Sequence, residues 1–188
     1  MKKIVLFASG NGSNAENIIK HFKNSSQGTV VAVFVNNPHA KVIERAQNQN
    51  VNTLVFTKEQ LSSGFVLEKL NEIQPDLIVL AGFLWMFPSN IINEYPNKVI
   101  NIHPALLPKY GGKGMYGKFV HQAVLENNEK ETGITIHFVN ENYDEGEFIF
   151  QQSTNVENCK TSEEIAEKVH DLEQIYFPQV IEKIISNS

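Results

Sequence analysis

Asn101 and His103 stand two residues apart in Asn101-Ile102-His103-Pro104. In an extended chain that spacing puts an amide and an imidazole on one face. Pro104 has no N–H to pair, so the strand is expected to end there. Strand ends are where open α/β sheets bind ligands. A donor amide beside a titratable ring suits a reaction that builds charge on an oxygen and moves a proton. The natural third member is a carboxylate, which raises the pKa of a nearby imidazole and fixes its tautomer. Asp144, in Tyr143-Asp144-Glu145-Gly146, is the candidate. Asp close before Gly is also ordinary turn chemistry, and spacing alone does not bring Asp144 to His103.

Two further stretches supply ligand chemistry. Gly10-Asn11-Gly12-Ser13-Asn14-Ala15 has a G-x-G-x-x-A spacing between an apolar run and an amphipathic segment. There, glycines admit close backbone approach, and a helix start offers free N–H groups to an anion. Ser13 and Asn14 also suit helix capping. A dinucleotide site would want a carboxylate at the end of the second strand. That strand ends Val35-Asn36-Asn37-Pro38, so a mononucleotide or sugar phosphate fits better. The second stretch, Leu84-Trp85-Met86-Phe87, follows Ala81-Gly82-Phe83. Core packing explains such a run on periodicity alone, yet its place after a strand also suits the wall of a pocket for a flat aromatic ligand.

The elements that must position these groups alternate along the chain. Apolar runs at 3–8, 30–35, 53–56, 76–81 and 98–102 read as strands, separated by amphipathic segments at 14–23, 40–49, 59–73 and 88–95. Strands alternating with helices imply βαβ units and a parallel sheet covered on both faces. Residues 133–139 and 147–153 are expected to pair antiparallel. The glycine-rich segment 109–117 reads as a mobile loop before a helix at 119–126. The last segment, 162–185, is helical, with Thr161 or Ser162 at its start and Pro178 kinking or restarting it. The expected fold is a single-domain, Rossmann-like α/β protein. It would have a mostly parallel twisted sheet, helices on both faces and an antiparallel C-terminal strand pair. A phosphate-binding half would span about 1–98, and a catalytic half 99–188.

Composition bounds the rest. The chain has 188 residues, 41% hydrophobic and 20% charged, with a net charge of −5. That argues against a nucleic-acid or membrane-surface binder. One cysteine, Cys159, allows no intrachain disulfide and fits a reducing compartment. The run Ile4–Ala8 is too short to span a membrane or to act as most signal peptides do, so a cytoplasmic protein is expected. There is no H-E-x-x-H or similar spacing, and no metal is expected. His21, His39 and His121 read as surface residues. His137 falls on the polar face of its strand, and Glu173 reads as a solvated charge on the last helix.

Together these motifs resemble the phosphoribosylglycinamide formyltransferase family of the formyltransferase superfamily, over essentially the whole chain. The residues that carry the resemblance are Gly10–Asn14, Leu80-Ala81-Gly82-Phe83, Asn101–Pro104 with Leu106–Tyr110, and Gly133–Val139 followed by Asp144. The resemblance implies transfer of a formyl group from 10-formyltetrahydrofolate to the amine of glycinamide ribonucleotide, in purine biosynthesis. It implies that Gly12, Ser13 and Asn14 hold the substrate phosphate and that Glu173 contacts its amine. Leu84, Trp85, Met86 and Phe87 would line the folate pocket. Asn101 would contact the formyl group, His103 would donate a proton, and Asp144 would keep His103 cationic near neutral pH. The implied partners are these small molecules alone, with the protein a monomer or weak homodimer.

The chain also departs from the family pattern. Leu84-Trp85 replaces a frequent Met-Arg, and Ala105 replaces a usual Ser. No arginine for the folate tail occurs between Lys58 and Val66, which leaves Lys58 as the stand-in. A folate-dependent formyltransferase acting on an amino sugar, or a non-catalytic phosphate- or nucleotide-binding α/β domain, is the alternative reading.

Overall fold

The computed structural model describes residues 1–187. Its elements run β1 (Lys2–Ala8), α1 (Ser13–Phe22), β2 (Gly28–Val35), α2 (Val42–Asn48), β3 (Asn52–Val55), α3 (Lys58–Ser62), α4 (Phe65–Ile73) and β4 (Leu77–Leu80). Then follow α5 (Ser89–Glu94), β5 (Val99–His103), α6 (Lys118–Glu126), β6 (Glu131–Phe138), β7 (Phe148–Asn155) and α7 (Ser162–Ser186). Among the described residues the strands form one seven-stranded sheet in the order β3-β2-β1-β4-β5-β6-β7. Strands β1 to β5 pair in parallel, and β6 is antiparallel to both β5 and β7.

Successive strand residues face opposite sides, and both sides are covered. Ile4, Leu6 and Ala8 of β1 enter a core with α1 and α7 residues such as Ile18 and Phe177. Val5 and Phe7 enter a second core with Leu70 of α4 and Ile91 of α5. The Phe7 ring there meets Phe83 and Phe87 edge-on. This is why β1 and β4 read as unbroken apolar runs.

β5 stops before Pro104, as expected, and its last residue, His103, pairs with Thr135 of β6. α7 differs from the sequence reading and runs through Pro178 without a break. Proline cannot donate to the Gln174 carbonyl one turn earlier, and Asn17 Nδ2 donates to that oxygen instead at 2.8 Å. A partner from α1 thus satisfies the acceptor that the proline leaves bare.

The strand order reverses between β1 and β4, which opens a crevice at their carboxyl ends. The two following loops are tied across it. Ser9 N donates to the Gly82 carbonyl at 3.0 Å, and Leu84 N donates to Ser9 Oγ at 3.0 Å.

Candidate active site

A cavity of about 780 Å³ occupies this crevice. Its walls bring together Ser13 and Asn14, Leu84–Phe87, Asn101, His103, Asp144 and Glu173. Five separate stretches of the sequence therefore meet in one site.

The chain enters α1 through Gly12, whose φ is +77°. A side chain there would overlap Val42, with its Cβ 2.3 Å from Val42 Cγ2. Glycine is thus required both by conformation and by contact. No side chain caps the helix, so Ser13 and Asn14 are not spent on capping and the first-turn N–H groups remain available to an anion. Ser13 and Asn14 border the cavity, whereas Gly12 is set back against Val42. The Asn14 side chain is fixed from α7. Its Nδ2 donates to Glu173 Oε2 at 2.9 Å, and its Oδ1 accepts from Gln174 Nε2 at 2.8 Å. Glu173 is therefore a part-buried member of the site and not the solvated charge its spacing suggested.

Asn101 and His103 do share a face of β5, as their spacing required. Antiparallel pairing places His137 opposite Asn101, and the Asn101 amide nitrogen lies 3.3 Å from His137 Nε2. An amide carries two hydrogens, so a second remains for a ligand oxygen. His137 Nδ1 donates to the Phe138 carbonyl at 2.8 Å, which holds the ring in place.

Asp144 reaches the pair from the turn after β6. It adopts a left-handed backbone, φ +56°, a conformation that Asp tolerates better than most residues. Its Oδ2 lies 3.5 Å from His103 Nδ1, and its Oδ1 lies 3.6 Å from His137 Nε2. Oδ2 also accepts from Gly112 N at 2.9 Å. His103 Nε2 donates to the Tyr110 carbonyl at 2.7 Å. The root of the glycine-rich loop thus touches both members of the pair. Gly111 between them is closely packed, since a Cβ there would lie 2.5 Å from Leu107 Cδ2, which would have to move, and 3.3 Å from Asp144 Cβ.

The electrostatics correct one expectation. His103 is 3% exposed, and burial pushes its pKa below the ordinary histidine value. Asp144 and the Tyr110 carbonyl pull it upward without overcoming that cost, and His137 adds to the lowering. Asp144 beside it therefore does not raise the His103 pKa above the ordinary histidine value. Burial raises the Asp144 pKa too, but His137, His103 and the Gly112 N–H outweigh it and hold the carboxyl below its usual range. The result is a carboxylate held in its charged form beside an imidazole whose charged form burial disfavours.

The apolar wall is split in function. Leu84 and Met86 are 49% and 45% exposed and face the opening, whereas Phe87, at 4%, belongs to the core beneath. Trp85 packs edge-on against Phe56 and Phe83 and borders the cavity with its remaining surface. Lys58 opens α3 and is not among the cavity's lining residues. His121, expected on the surface, is 7% exposed on α6 and lines the cavity. Its Nδ1 has no partner among the described residues. Burial lowers its pKa, opposed by Glu173. Residue-type reasoning also missed the Tyr110 carbonyl and the Gly112 N–H, because backbone groups leave no mark in residue identity. His137 carried a signal, since strand alternation put it on the polar face. No group of three or more His, Cys, Asp or Glu residues among those described is arranged to hold a metal ion. No helix among them is long and apolar enough to cross a membrane.

The chain matches the formyl transferase family model over residues 2–181. It is 38% identical over 183 residues to a chloroplastic phosphoribosylglycinamide formyltransferase of Arabidopsis thaliana, covering 93% of this chain and 63% of that protein. It is 34% identical over 191 residues to the Bacillus subtilis phosphoribosylglycinamide formyltransferase, covering 98% and 95%. The chain spans about three-fifths of the length of its Arabidopsis and Vigna relatives. The structure of glycinamide ribonucleotide transformylase 1 from Geobacillus kaustophilus superimposes with a TM-score of 0.89 at 31% identity, covering 98% of this chain and 99% of that one. The Symbiobacterium toebii counterpart gives 0.91 at 27% identity, covering 100% and 89%.

Proposed function

The chain belongs to the formyl transferase family, and on that premise we propose that it moves the formyl group of 10-formyltetrahydrofolate to the amine of glycinamide ribonucleotide. The products are formylglycinamide ribonucleotide and tetrahydrofolate, within purine biosynthesis. The observation that carries the reading is the placing of Asn101, His103 and Asp144 between an anion-ready helix start and an apolar wall, in one cavity.

The geometry supports the following roles. The uncapped first turn at Ser13 and Asn14 takes the phosphate. Glu173, fixed by Asn14, takes the amine end of the same molecule. Leu84, Trp85, Met86 and Phe87 give an apolar slot for the pteridine, and formyl-folate supplies the activated formyl carbon. The new bond joins the amine nitrogen to that carbon, the bond to the folate nitrogen breaks, and the proton released by the amine ends on the folate nitrogen. Charge that builds on the formyl oxygen meets the free Asn101 N–H, with the His103 ring beside it. Such a donor is worth ~3–4 kcal/mol in comparable sites. The developing charge favours protonation of His103 beside Asp144, so the ring becomes an acid when one is needed.

The protein is read as a cytoplasmic, single-domain monomer or weak homodimer whose partners are these small molecules. The direct test is tetrahydrofolate release with glycinamide ribonucleotide as acceptor, run beside an amino-sugar nucleotide. Release with the ribonucleotide is expected. No release, or faster turnover of the amino sugar, would sink the assignment.

A further inference from the structure

Asn11 is the tip of the Gly10–Asn14 loop and borders the cavity. Its side-chain Oδ1 accepts from Arg45 Nη2 at 3.2 Å. Arg45 lies on α2 and does not border the cavity, yet its guanidinium spans two elements of the site. Nη1 of the same group donates to Glu16 in the first turn of α1. Glu16 also pairs with Lys20, in the last turn of α1, at 2.7 Å.

The backbone of α2 completes a platform under the loop. Val42 N donates to the Gly10 carbonyl at 3.1 Å, and the Val42 side chain fills the space beneath Gly12. Only the loop's outer edge at Asn11 remains to be held, and Arg45 holds it. Arg45 Nε is buried without a partner, a cost that a residue selected for stability alone would avoid. A guanidinium bridges a carboxylate and an amide through two nitrogens of a rigid planar fork, a geometry that lysine's single ammonium nitrogen does not reproduce.

We propose that Arg45 is a positioning residue for the ribonucleotide phosphate, acting through Asn11 to hold the Gly10–Asn14 loop in its anion-binding form. The inference rests on the phosphate reading of that loop. It assigns the phosphate site a support outside the cavity, on a helix none of whose residues borders it.

The test is steady-state kinetics on the full chain with both substrates varied. Arg45→Met is expected to raise KM for glycinamide ribonucleotide about tenfold, the effect of one lost charge-assisted hydrogen bond. KM for formyl-folate and kcat should stay near the unaltered values. Arg45→Lys should recover only part of the loss. Glu16→Gln removes the ion pair but leaves Arg45 beside Asn11, and it should keep a low ribonucleotide KM. Combining Arg45→Met with Asn11→Ala should be no worse than Asn11→Ala alone, because both remove one interaction. Equal rises in both KM values, a Glu16→Gln effect as large as that of Arg45→Met, or additive losses in the double variant would each overturn the proposal. An unaltered protein that shows no turnover of the ribonucleotide would instead overturn the reading on which it rests.

Discussion

His103 Nδ1 faces Asp144 Oδ2 at 3.5 Å, in a pocket where the imidazole is almost wholly buried. The carboxylate favours the charged ring, and burial disfavours it by more. Replacing Asp144 by Asn removes the upward pull and leaves the downward one. The His103 ring, followed by NMR, should then titrate lower than in the unaltered protein. Turnover should fall about 100-fold or more. An unchanged titration would show that Asp144 does not govern the ring.

Trp85 is the only tryptophan in the chain, and it borders the cavity. Its fluorescence should change on addition of a folate and stay constant on addition of glycinamide ribonucleotide alone. Trp85→Ala should raise the KM for formyl-folate with little effect on the ribonucleotide KM. An active protein whose fluorescence ignores folate would place the pteridine elsewhere.

Gly12→Ala should cost roughly 1–3 kcal/mol in chemical denaturation, because it forces a side chain into a left-handed backbone and against Val42. Adding Val42→Ala should not rescue it, because Val42 Cβ and Cα would still lie 2.4 and 2.8 Å from the added methyl and the backbone strain would remain. A Gly12→Ala protein as stable as the parent would contradict this account of the loop.

His103 and His121 both have folded-state pKa values below the ordinary histidine value, burial being the first cause in each. Below that ordinary value, about 6.5, the unfolded chain binds protons that the folded chain refuses. Their contribution to stability is therefore full above pH ~6.5 and is lost as the pH falls toward their folded values. His121→Asn should flatten the decline in denaturation free energy across that window. Its slope should match the parent's above it. An unchanged slope below pH ~6.5 would remove His121 from the account.

Much of the fold and half of the site were legible in the residues themselves. Alternating apolar runs marked the parallel strands, and the spacing of Asn101 and His103 set them on one face. The Gly10–Asn14 spacing located the helix start. Periodicity, turn chemistry and capping are local, so neighbouring residues carry them whatever the rest of the chain does. Thr161 shows this: of the two neighbouring candidates for the helix start, Thr161 and Ser162, it is Thr161 that caps α7, in a capping box with Glu164.

What tertiary structure alone decided was which distant groups meet and what they feel. β6 folds back antiparallel beside β5, and only then does His137 lie against Asn101 and Asp144 against His103. Amphipathic pattern marked α6 as a helix but not what its buried face would meet, so His121 passed for a surface residue. The protonation state of His103 could not be read from its partner Asp144, because the cost of burial is summed over every group that excludes water from the ring. Pro178 sits inside a continuous helix for a similar reason: the group that satisfies the Gln174 carbonyl comes from the opposite end of the chain.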